Sequence, residues 1–181
     1  ISRAKKAADF LVYALRKQPE IKERMYTSVY EDGKILTNFP ESRKKYYVVE
    51  TGMPDQWYFY PGLSIAALMK VYETTGIRKY LEIAKRYFDF AASCQSDVFT
   101  FFGTGKLSWG SSLLSKVTRK QKHLDAARSI SDHMIRSQLE EGCWLSIREV
   151  YKSADEQPLH ITVDCTAETV AFLSEVLQAL Q

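Results

Sequence analysis

Tyr80-Leu81-Glu82-Ile83-Ala84-Lys85 decides the fold, because 43 residues later the chain reads His123-Leu124-Asp125-Ala126-Ala127-Arg128 in the same pattern. With the same shift Gln95 falls on Gln138 and Val71 on Leu114. A period of this length marks an array of supersecondary units, each too small to bury its apolar face alone. Around the quoted stretch, Tyr80, Leu81, Ala84, Tyr87, Phe88 and Ala91 fall on one helical face while Lys79, Glu82, Lys85, Arg86 and Asp89 occupy the rest. Such a one-sided helix belongs on the outside of a helical layer.

Upstream, Leu63-Ser64-Ile65-Ala66-Ala67-Leu68-Met69 is apolar nearly all round, which predicts an inner helix from Gly62 to Thr74, with Thr75-Gly76 as its C-terminal stop. The second unit repeats the scheme: an inner helix from Trp109 to about Thr118 and an outer helix from His123 to Gln138, with Leu124, Ala127, Ser131, Met134 and Ile135 inward. An outer helix from Arg3 to Lys17 precedes both units, with Ala4, Ala7, Ala8, Leu11, Ala14 and Leu15 inward. An inner helix from Thr166 onward follows them. Residues 1–181 are thus expected to form one all-α domain, an (α/α) toroid of helical hairpins or a segment of one.

Link lengths choose the functional end. The inner-to-outer links at 75–78 and 119–122 are short, whereas the links at 18–61, 95–108 and 140–163 are long. Hairpins alternate direction, so every long link emerges at the same end, where sites are commonly built. Small β-hairpins are expected inside these links, at Tyr26–Tyr30 and Lys34–Asn38 around Asp32-Gly33, at Tyr46–Glu50, at Trp144–Tyr151 and at His160–Val163. The same end gathers Trp57, Tyr58, Phe59, Tyr60, Phe99, Phe101, Phe102, Trp109 and Trp144.

Charge and composition exclude several classes. The net charge is +3, and residues 1–50 carry 11 Lys/Arg against 7 Asp/Glu. That excess sits on the first helix and on Arg43-Lys44-Lys45, which reads as solvated surface rather than a nucleic-acid stripe. No run of about 18 apolar residues predicts a membrane span. Cys94, Cys143 and Cys165 have neither a zinc nor a disulfide spacing, so reduced thiols in a cytoplasmic protein are expected, with no metal and no cofactor.

Two motifs stand in the last link and helix. Gln138-Leu139-Glu140-Glu141-Gly142-Cys143-Trp144 reads QxxxGxW, and Asp164-Cys165-Thr166-Ala167-Glu168 reads DCTAE. The first resembles the QW repeat of squalene and oxidosqualene cyclases, the second the DCTAE motif of oxidosqualene cyclases. Tyr72-Glu73-Thr74-Thr75-Gly76, followed by Lys79-Tyr80-Leu81-Glu82-Ile83-Ala84, is equally similar to six-hairpin carbohydrate-active enzymes. The cyclase resemblance implies an enzyme on a small apolar metabolite, with Asp164 as the acid that starts cyclisation or isomerisation and Cys165 beside it. The chain departs from that family in length and in lacking DxDD. The carbohydrate resemblance implies a glycosidase, lyase or epimerase, and a non-catalytic ligand-binding toroid is the third alternative.

Each candidate also has a plain structural role. Asp164 reads as an acid or as an N-cap. Glu168 is either a cavity carboxylate or a complement to the helix dipole. His160 is expected in a surface loop, where its functional roles would be to orient Asp164 or to shuttle a proton. Trp57, Tyr58, Trp109, Trp144 and Cys165 are candidate substrate contacts or core residues, and Gln138, Gly142 and Trp144 tie a helix end to its loop. Lys106 is expected as an exposed loop lysine, and Asp55 or Asp97 is a possible partner carboxylate for Asp164. Three hairpins leave a ring of the usual size open. The expected partners are therefore a small-molecule substrate, and either a second copy or the remainder of a longer chain on the exposed edge.

Overall fold

Short links force neighbouring helices to lie antiparallel, and the two shortest links in this chain do so. The structure, a computed structural model, describes residues 1–101, 103–146 and 150–181. Its α-helices are α1 (Ser2–Arg16), α2 (Phe59–Thr75), α3 (Arg78–Ala92), α4 (Gly105–Thr118), α5 (Gln121–Arg136) and α6 (Leu159–Leu180). Two residues separate α2 from α3, and two separate α4 from α5. Gly76 ends α2 in the left-handed conformation (φ 67°) and returns its N–H to Tyr72 O at 2.7 Å. Arg119 does the same for α4 (φ 54°), with its N–H on Ser115 O at 2.8 Å.

The helices form two layers. α2, α4 and α6 pack side by side in the first; α3 covers α2, α5 covers α4, and α1 lies against α2 and α3. Glycines set the spacing within the first layer. A Cβ on Gly110 would lie 2.9 Å from Ile65, and one on Gly62 would strike the Leu107 backbone. Side-chain pairs give the direction: Lys106 of α4 meets Glu168 of α6, while Glu175, further along α6, meets Lys70 of α2 and Trp109 of α4. The three helices of this layer therefore run parallel, and the long links share one end. Among the described residues no helix is long and apolar enough to cross a membrane.

Several expectations on local structure are corrected. α2 and α4 begin one turn earlier than Gly62 and Trp109, with Pro61 in the first turn, where a missing N–H has no helical partner to lose. α6 begins at Leu159 rather than Thr166, so His160–Val163 is helical and not strand-like. Ile161 and Val163 favour strands weakly; here the Ile161 and Thr162 N–H groups donate to Pro158 O and Gln157 holds Thr162, which starts the helix. The buried faces of the second layer are also rotated or widened. Val12 replaces Ala4 and Ala7 in α1. Ile83 and Phe90 join the buried face of α3, and in α5 His123, Ala126 and Ile130 turn inward while Ile135 is exposed.

The long links are pinned by glutamine amides rather than by extended sheets. β1 (Arg24–Tyr26) pairs antiparallel with β2 (Val48–Glu50), whereas the Asp32-Gly33 turn closes only a single bridge, Val29 to Ile35. Gln18 brackets the backbone of Tyr26 through both of its polar atoms. Buried Gln56 accepts the Glu50 N–H at 2.6 Å and donates to Glu50 O and Met53 O. Buried Gln157 accepts the Ser146 N–H at 2.6 Å and donates to Thr162 Oγ1 at 3.0 Å. Residues 144–146 form no strand, and the rest of the strand expected at Trp144–Tyr151 includes 147–149, which lie outside the described residues, as does Phe102.

Candidate functional site

The parallel packing leaves one side of the first layer uncovered, and its side chains interlock. Lys106, in the first turn of α4, places Nζ 2.8 Å from Glu168 Oε2 and sits over the rings of Phe59 and Phe172 at 5.5 and 5.2 Å. One turn further, the Trp109 indole N–H donates to Glu175 Oε2 at 3.1 Å, and Lys70 reaches the same oxygen at 3.1 Å. The Trp109 and Phe172 rings lie nearly parallel, with centroids 6.2 Å apart. Cations, carboxylates and ring faces thus alternate across α2, α4 and α6. Lys106 is not the exposed loop lysine expected: it is half-buried and helical.

The early start of α6 changes the reading of the DCTAE segment. Asp164 is inside the helix rather than capping it, with Pro158 at the N-cap. His160, Asp164 and Glu168 then stand at i, i+4 and i+8, one above another on a single face. Glu168 fixes that face as the one opposite Lys106. Asp164 and His160 are exposed, on the turns nearest the long links. The three candidate chemical groups are therefore brought into one line, by a helix and not by a loop.

The candidate contact residues divide. Trp109 belongs to the interlocked face. Trp57 lies at its mouth, tilted against Phe59 with centroids 5.6 Å apart. Tyr58 is wholly buried, its hydroxyl 2.9 Å from Asp97 Oδ1 and 3.1 Å from Met53 O, and burial followed by the nearby carboxylate pushes its pKa up. Asp97 Oδ2 also accepts the Asp55 N–H at 2.7 Å, so Asp97 stitches two links together. Trp144 is buried and donates its indole N–H to Met134 O at 2.8 Å, while Gln138 donates to Gly142 O at 2.7 Å. The QxxxGxW segment closes the end of α5 in this way, with Gly142 at φ 86°.

The cysteines are placed as buried thiols. Cys165 is buried on α6, and its pKa is raised by burial and then by Asp164 and Glu168. Burial pushes the Cys94 thiol up to about 12. Neither has the electropositive surroundings that make a thiolate nucleophile.

Lys70, Phe172 and Glu175 were not among the residues picked out from sequence. The available signal was the i+7 spacing of Glu168 and Glu175, visible once α6 is read as continuous. Two surface depressions, of about 480 and 310 Å³, lie elsewhere, against α1 and the 33–37 turn, and share only Tyr13 and Lys17. The interlocked face is an open surface carrying chemistry rather than one of these hollows. Compared with protein-family models, with curated proteins and with solved structures, the chain matches none.

Proposed function

We propose that the chain is a segment of an (α/α) toroid, with the first layer as its inner wall, and that the open side of this wall binds and acts on a carbohydrate. The observation that carries the reading is the alternation on one surface of carboxylates (Asp164, Glu168, Glu175), lysines (Lys70, Lys106) and rings (Phe59, Trp109, Phe172). Sugar rings present apolar C–H faces that pack on aromatic side chains and hydroxyl edges that bond to charged groups. Asp164 and Glu168, one turn apart with Cβ atoms about 6 Å from each other, supply two carboxylates for proton transfer. Lys106 holds Glu168 in place, and His160 stands one turn before Asp164.

A second reading is acid-initiated cyclisation or isomerisation of a terpenoid-like substrate with Asp164 as donor. The ring cluster favours it, since aromatic faces stabilise a developing cation. That chemistry wants the donor carboxyl in a dry pocket, where desolvation raises its pKa. Asp164 is exposed, so the surface does not provide that dry pocket.

Asp164→Asn and Glu168→Gln test the assignment. Each should lower turnover of a glycan panel, scored for hydrolysis, elimination and epimerisation, by about 100-fold or more, with little change in thermal unfolding for the exposed Asp164. Wild-type turnover in both variants would remove proton transfer from these residues. Turnover of isoprenoid epoxides in place of glycans would move the assignment to the second reading.

A further inference from the structure

The run Arg43-Lys44-Lys45 reads from sequence as solvated surface, yet its three cations have different fates. Lys44 is consumed: its Nζ lies 2.7 Å from Glu50 and 3.8 Å from Glu41, and Glu50 also meets Arg24. Lys44 and Arg24 together hold Glu50, and Arg24 also pairs with Glu20 at 3.1 Å. Arg43 and Lys45 are exposed and have no ion pair among the described residues. They lie over rings instead: Arg43 over Tyr46 and Tyr47 at 6.0 and 5.9 Å, Lys45 over Tyr46 and Trp57 at 5.4 and 5.9 Å. Tyr46 meets Trp57 edge-on at 4.5 Å, Trp57 packs on Phe59, and Phe59 lies under Lys106. A continuous path of rings therefore leads from two unneutralised cations at the long-link end to the carboxylates of the inner wall.

We propose that Arg43 and Lys45 form an anion-reading subsite at the mouth of this path, and that the glycan bound there is acidic, carrying carboxylate or sulfate groups. The proposal rests on the carbohydrate reading above and adds the charge of the ligand. Rings without cations would suit a neutral glycan equally well. Unpaired cations stationed on the ring faces favour a ligand that is negatively charged at the mouth and stacks further in. A nucleic-acid strand offers stacking and charge too, but it requires a clustered basic stripe, and here Lys44 is held by Glu50, which leaves two cations at the mouth.

Titration calorimetry of the intact chain with an oligogalacturonate, its methyl-esterified counterpart and single-stranded DNA tests this. The acidic oligomer should bind more tightly than the ester, and increasingly so at low salt. Combining Arg43→Ala with Lys45→Ala should weaken it by about five- to tenfold, the range of two exposed ion pairs, and leave the ester unchanged. Both side chains are exposed, so unfolding temperature should hold. Equal affinity for acid and ester, or an unaltered double variant, would overturn the subsite and leave the carbohydrate reading standing. Binding of DNA alone would overturn both, and so would binding of no oligomer at all.

Discussion

His123 shows how a single side chain links packing to solution conditions. It is 1% exposed, edge-on to Phe88 with ring centroids 4.5 Å apart, and its Nδ1 lies 2.7 Å from Thr118 Oγ1. Thr118 spends its hydroxyl proton on Leu114 O, which assigns the imidazole proton to Nδ1 and leaves buried Nε2 without a partner. Burial, reinforced by Lys122, lowers the pKa to about 4. The unfolded chain takes up this proton near pH 6.5 and the folded chain does not. Stability should therefore be full above that value, decline as pH falls toward about 4, and level off below it. The total is on the order of 3 kcal/mol. Denaturant midpoints measured from pH 7 to pH 4 check it: His123→Gln should flatten the slope, and an unchanged slope in the variant would assign the effect to other groups.

At the scale of elements, two backbone positions bear opposite loads. Gly62 allows α2 and α4 to touch, and any Cβ there meets the Leu107 backbone, which no rotamer can relieve. Gly62→Ala should cost about 3 kcal/mol or more by overpacking, read from urea unfolding; a loss below 1 kcal/mol would mean that the helices separate easily. Arg119 carries the reverse expectation. It holds a left-handed conformation at the end of α4 that Gly76 holds at the end of α2, and L-residues are strained there. Arg119→Gly should raise stability by about 0.5–1 kcal/mol, measured in the same way. Gly76 was legible in the sequence as a stop because glycine is the usual left-handed cap; Arg119 carried no such mark. The start of α6 was hidden for a related reason, since Pro158 followed by Leu, His and β-branched residues offers no capping side chain and resembles a strand.

At the scale of the whole molecule, the layer that builds the candidate site also leaves an edge uncovered. Leu159, Val163, Val170 and Leu177 form a stripe along α6 on the side away from α4, each more than half exposed. A stripe of this kind is unusual on a free surface and drives association. Light scattering of this chain over a concentration series should show self-association that Val170→Glu together with Leu177→Glu abolishes. A monodisperse monomer at every concentration would remove this edge as a contact surface. The stripe does not include Arg43, Lys45, Lys70 or Lys106, so the double variant should leave glycan binding unchanged.

The repeat, the link lengths and the alternation of one-sided and apolar helices were all legible in the sequence, because periodic burial and turn chemistry are local properties. They were enough to place five of the six helices near their observed positions and to choose the end where the long links gather. The faces those helices turn inward were less legible, as α1 and α5 show, because neighbouring layers select among similar apolar stripes. Asp164, Glu168 and His160 could be named as chemical groups, yet their alignment required α6 to begin at Leu159, where the buried Gln157 amide ties Thr162 to the Trp144 and Ser146 backbone. The pairing of Glu168 with Lys106 and of Glu175 with Lys70 and Trp109 joins residues 62 or more positions apart. Only the parallel docking of α2, α4 and α6 brings them together, since contacts at that separation are set by tertiary packing and leave no local trace.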